Sequence, residues 1–123
     1  MSSDSTESVW PTDLSYDPKQ KSLTVVFDTG ETFVLAAEYL RVESPSAEVQ
    51  AHGGEKSIVG GRRDVGIMEV EPVGNYAVRL VFDDLHDTGI YSWRTLYELG
   101  VEHDDRWAVY LAALNTKGLS RDP

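Results

Sequence analysis

The chain contains no cysteine, which removes disulfides, thiolate zinc sites, cysteine-ligated iron–sulfur clusters and a cysteine nucleophile together. It also lacks any apolar run near the ~20 residues that a membrane span needs. Its first residues, MSSDSTESVW, have neither the basic region nor the apolar core of a signal peptide. A cytoplasmic protein is the expectation, with no membrane partner. Basic residues are scarce: 11 Lys and Arg stand against 21 Asp and Glu, a formal net charge of -10. A field of that sign repels nucleic acid, so general DNA or RNA binding is not expected. The 4 lysines set against 11 aspartates suit a high-salt cytoplasm, where a strongly charged surface stays hydrated.

What is present is enough for one domain. At 123 residues and 41% apolar composition, the chain can bury a core without staples. Residues 1–9 are polar and acidic and read as a disordered tail, leaving residues 10–119 as the domain. Leu14 and Tyr16, spaced by two, suggest a strand. Leu23, Val25 and Phe27 alternate with Thr24, Val26 and Asp28, and Thr29-Gly30 reverses the chain into Thr32–Leu35, the signal of a β-hairpin. A second β region runs from Gly66 through Ile67, Met68 and Val70, turns at Gly74-Asn75, and continues with Val78, Leu80 and Phe82 on one face. Two helices follow. Ser92 is placed to cap one carrying Trp93, Leu96 and Leu99, with Gly100 as its stop; Asp104 or Asp105 would cap another with Trp107, Leu111 and Leu114 inward and Gly118 as its stop. Strands first and helices last predict an α+β fold: a mainly antiparallel sheet with two C-terminal helices. Between the β regions, Ser44 to Asp64 is a long Gly-rich loop expected to be mobile or functional.

Three stretches invite a chemical reading. Gly53-Gly54-Glu55-Lys56-Ser57 has the outline of a phosphate loop, but Glu55 stands where glycine must precede the lysine. Gly60-Gly61-Arg62-Arg63 offers backbone amides and two guanidinium forks to an anion. His86, among Asp83, Asp84 and Asp87, has the atoms for a metal, yet the spacing gathers no two ligands from one element, and His52 and His103 are remote in sequence. The plainer reading is a structural histidine in a turn, with Ser92 explained as a helix cap.

Leu40-Arg41 followed by Ser44-Pro45-Ser46-Ala47-Glu48, then Val73-Gly74-Asn75-Tyr76-Ala77, and above all His86-Asp87-Thr88-Gly89-Ile90-Tyr91-Ser92-Trp93 with Leu96, resemble domain of unknown function family 971. That family is similar to the N-terminal domain of gamma-butyrobetaine hydroxylase, and the likeness spans about residues 11–100. The C-terminal helix looks like that of stand-alone bacterial members. The resemblance implies a structural zinc held in the hydroxylase by three cysteines and a histidine. Those positions fall here on Ser44, Ser46, Val49 and His86, and serine hydroxyls and a valine do not replace thiolates. No metal or other cofactor is therefore expected, and His86 is expected to bridge the second β region and the Ser92 helix. Leu85 stands where the family has a small residue.

The hydroxylase's catalytic domain has no room in this chain, so no enzyme activity is expected. Related domains occur fused to P-loop ATPases that carry iron–sulfur clusters. The resulting expectation is a non-enzymatic protein-interaction or accessory module linked to iron–sulfur protein maturation, with an iron–sulfur carrier ATPase as partner. Its binding or structural motif would comprise His86, Asp87, Gly89, Tyr91, Trp93, Arg62 and Arg63. The alternative is a small-molecule, anion or metal-binding domain using the His86 turn and the Gly-rich 52–63 loop.

Overall fold

The computed structural model describes residues 9–45 and 58–123. The strands β1 (Pro11–Asp17), β2 (Ser22–Phe27) and β3 (Thr32–Ala36) form one antiparallel meander; β4 (Ile67–Val73), β5 (Ala77–Phe82) and β6 (Gly89–Ser92) form a second. Between them lies a short helix, α1 (Ala37–Val42); α2 (Trp93–Val101) and α3 (His103–Thr116) follow the last strand. The fold is α+β, as the element order predicts, but the β residues divide into two three-stranded sheets. Of the expected tail, residues 1–8 lie outside the described residues, whereas Val9 is buried in the core.

The core is built from alternate positions, because successive side chains of a strand point to opposite faces. Leu23, Val25 and Phe27 of β2, Leu35 of β3, Leu80 and Phe82 of β5, and Tyr91 of β6 meet Leu96 and Leu99 of α2, all essentially without exposure. Ser92 caps α2 as its sequence position suggests, accepting a hydrogen bond from the Thr95 amide at 3.1 Å. Gly100 does not end that helix. It lies inside α2, where a Cβ would collide with the Phe33 ring, so the glycine is there to let β3 approach.

The last helix departs further from expectation. Its N-cap is Glu102, without a side-chain cap, and Asp104 and Asp105 sit in its first turn, where acidic groups favour the helix dipole. Tyr110 and Leu114 face inward, while Leu111 is 40% exposed. Gly118 does end the helix. With φ at +68°, its amide donates to the Asn115 carbonyl and that of Leu119 to the Leu114 carbonyl, the paired closure of a Schellman motif.

Candidate functional site

The stretch from Phe82 to His86 is a three-residue hairpin turn. The Phe82 amide donates to the His86 carbonyl at 2.9 Å and the Leu85 amide to the Phe82 carbonyl at 3.0 Å, while Leu85 takes φ of +75°. That is a type I turn completed by a left-handed residue. The geometry gives Asp84 and His86 inward duties and leaves Leu85 80% exposed.

Asp84 splits its two oxygens. Oδ1 accepts the His86 amide at 3.1 Å, an Asx-type contact that fixes the carboxylate against its own turn. Oδ2 meets Nε of Arg41 at 2.8 Å and Nε of Arg62 at 2.7 Å. The Arg41 contact is a hydrogen bond; the Arg62 N–H is not aimed at the oxygen, so that contact is charge attraction. Burial raises the Asp84 carboxyl, but the His86 amide and the two guanidiniums outweigh it and hold the group below the ordinary carboxylate range.

His86 is 5% exposed and its Nε2 lies 3.0 Å from Oγ of Ser44, which is fully buried at the end of α1. The tether therefore runs to the α1 end and not to the Ser92 helix. Beside it, the Tyr91 hydroxyl donates to the Leu40 carbonyl, and burial pushes the Tyr91 phenol well above its ordinary value. Gly89 completes the packing, since a Cβ there would stand 2.7 Å from Oγ of Ser44.

The zinc implied by the family does not fit this arrangement. Two ligand atoms about 2.0–2.2 Å from one tetrahedral ion stand about 3.4 Å apart, whereas Ser44 and His86 are at direct hydrogen-bond distance. A neutral hydroxyl is also a poor zinc donor, and the Ser46 and Val49 positions lie outside the described residues. Among the described residues, no three His, Asp or Glu side chains gather as a metal-holding group.

The remaining candidates disperse. Arg62 is taken by Asp84, and Arg63 turns to Asp122 at 2.6 Å on the surface, so the two guanidiniums do not converge on one anion. Asp87 is exposed and its carbonyl accepts from Arg79 at 2.7 Å. His103 stacks on Trp107 and bonds Asp104. His52 and residues 53–57 lie outside the described residues. Trp93 is half-buried, donating from Nε1 to the Asn75 carbonyl at 2.9 Å, and forms a wall of a cleft that no sequence motif marks. This cleft, of about 510 Å³, separates β1 from β4, each at the edge of its sheet, with Leu14, Tyr16, Val70, Pro72, Val78 and Trp93 in its lining. The alternation of Leu14 with Tyr16 was its one sequence signal.

No helix among the described residues is long and apolar enough to cross a membrane. The comparison with curated proteins found no match. Two solution NMR structures of proteins without a stated function are similar to this chain: one is 46% identical with a TM-score of 0.81, covering 93% of this chain and 90% of the other. The second is 45% identical with a TM-score of 0.82, covering 97% and 89%. A crystal structure of a protein of unknown function from Acidithiobacillus ferrooxidans, a DUF971 family member, is 38% identical with a TM-score of 0.63, over 73% of this chain and 91% of the other. The model of the gamma-butyrobetaine hydroxylase-like N-terminal family matches residues 14–97; the chain belongs to that family.

Proposed function

We propose that the domain is a non-enzymatic protein-interaction module whose β1–β4 cleft receives an extended, apolar segment of a partner protein with basic residues along it. The observation that carries this is the cleft itself: apolar walls between two sheet edges, where an added strand finds both backbone and side-chain partners. Asp13 is the charged residue of its lining and the chain carries a net charge of -10, so a cationic segment is the complementary occupant. The polar groups that would serve a small-molecule site, Arg41, Ser44, Asp84 and His86, are instead engaged with one another.

The setting proposed is cytoplasmic iron–sulfur protein maturation, with a cluster-carrying P-loop ATPase as the partner. Its support is the family resemblance, in which related domains are fused to such ATPases. A titration of the isotope-labelled protein with a synthetic peptide of alternating valine and lysine tests the cleft. Amide and indole shifts are expected at Thr12, Leu14, Val70 and Trp93, and Ser15→Arg, which adds a cation to the lining, should weaken binding about tenfold. Shifts confined to the His86 turn and Arg62–Arg63 would transfer the function to an anion or small-molecule site, and no shifts would remove the cleft reading. The same titration with a purified iron–sulfur carrier ATPase tests the setting.

A further inference from the structure

We infer that the Asp83–Thr88 turn is a metal-free staple that fastens the chain on both sides of residues 46–57, a role that is independent of the cleft. On the near side it holds Arg41 through Asp84 and Ser44 through His86. On the far side it holds Arg62 through the same Asp84 oxygen, and the Asp83 amide donates to the Gly66 carbonyl at 2.9 Å. Two flanks that are 21 residues apart at their arginines are thus joined at one carboxylate.

The chemistry suits a cross-link. A single oxygen facing two guanidiniums cannot be replaced by either flank acting alone, because without the carboxylate the two cations face each other. Asp84 is held in register by its bond to the His86 amide, so the carboxylate and the imidazole are positioned by one turn. The Ser44 contact then does what a shared ligand would do at a metal, joining the α1 end to the β5–β6 turn, with a hydrogen bond in place of a coordinated ion.

Native-state amide exchange on the full-length protein tests this. Ser44, Val65 and Asp83 have amides that bond carbonyls at the three points of attachment, those of Arg41, Arg62 and Gly66. Asp84→Asn keeps the shape and removes the charge, and exchange at Ser44 and Val65 should rise together, about tenfold, while that at Phe27 in the other hairpin is unchanged. Should that variant not fold, Arg62→Gln and Ser44→Ala carry the test: the first should loosen Val65 without Ser44, the second Ser44 without Val65, and both should loosen Asp83. The chelator EDTA should leave wild-type exchange unchanged. A rise on one flank only in Asp84→Asn, an even rise throughout the molecule, unchanged exchange at Asp83 in both single-flank variants, or an EDTA effect matching Asp84→Asn would each overturn the staple.

Discussion

Two hairpin turns in this molecule share a backbone and differ in employment. Phe27-Asp28-Thr29-Gly30-Glu31 joins β2 to β3 and Phe82-Asp83-Asp84-Leu85-His86 leads from β5 toward β6. In each, the phenylalanine amide donates to the fifth residue's carbonyl at 2.9 Å and the phenylalanine carbonyl accepts from the fourth residue. Both phenylalanines are buried, and the fourth residue of both has positive φ, +93° at Gly30 and +75° at Leu85. The first turn bonds within itself from Thr29 to Glu31, and its outside partners, Trp10 at Asp28 and the Tyr97 hydroxyl at Glu31, are met at the exposed surface. The second sends its third and fifth side chains across the molecule to Arg41, Arg62 and Ser44. Turn geometry is thus supplied locally, whereas duty is supplied by what lies opposite the turn.

The largest expected separation between the two turns comes from their aspartates. Removing one member of a fully buried ion pair costs about 3–5 kcal/mol; with side chains 19% exposed at Asp84 and 32% at Arg62, Asp84→Ala should cost about 2–3 kcal/mol. Asp28→Ala, at an exposed position with one long bond, should cost about 0.5 kcal/mol or less. Urea denaturation at neutral pH measures both, and equal losses would erase the distinction.

The same comparison has a pH signature. Asp84 has a folded-state pKa below its unfolded value, so its contribution is present in full above the unfolded value, about 3.9, and fades as the pH falls through the depressed folded one. The stability gap between wild type and Asp84→Ala should accordingly be constant at neutral pH and narrow progressively below about pH 4. A gap that persists undiminished in strong acid would mean that packing, not charge, fixes this turn.

How much of this was legible follows from what each residue's neighbours reveal. The β2–β3 hairpin could be read because Gly30 marks its turn, and Ser92 because its cap lies three residues away at Thr95. The helix α1 was hidden: all six of its residues are buried, so it has no polar face and no amphipathic period. Two of them are charged, Glu38 and Arg41, and are made tolerable by Arg121 and Asp84, 83 and 43 residues away. Gly100 misled because glycine near a helix end reads as a stop, while its reason, Phe33, belongs to another strand. For His86, the family resemblance pointed to both it and Ser44, but no local pattern could pair residues 42 apart.

A middle-sized effect should come from exchanging the turns' fourth residues, beginning with Gly30→Leu. A side chain on a left-handed backbone costs about 1–2 kcal/mol, partly offset because glycine is more flexible when unfolded. Nothing lies within 4 Å of a Cβ at Gly30, so no clash adds to this, and the net loss should be about 1 kcal/mol. A loss well beyond that would show that the turn's backbone is what positions Glu31 for Tyr97 and Asp28 for Trp10.

The smallest effect, and the most informative, is expected from Leu85→Gly. Leu85 is 80% exposed, so its removal forfeits little burial, and glycine adopts its φ of +75° without strain. The strain relieved is lower than that imposed at Gly30, because +75° lies nearer the left-handed minimum than +93° does. After the entropy of the freer unfolded chain is subtracted, the gain should be about 0.5 kcal/mol, seen as a higher urea midpoint at unchanged slope. An exposed leucine on a left-handed backbone is thus a small local strain that glycine would relieve. If Leu85→Gly instead lowers stability, the leucine is itself part of what holds Asp84 and His86 in register, and the two turns differ in their backbones' support as well as in their side chains' targets.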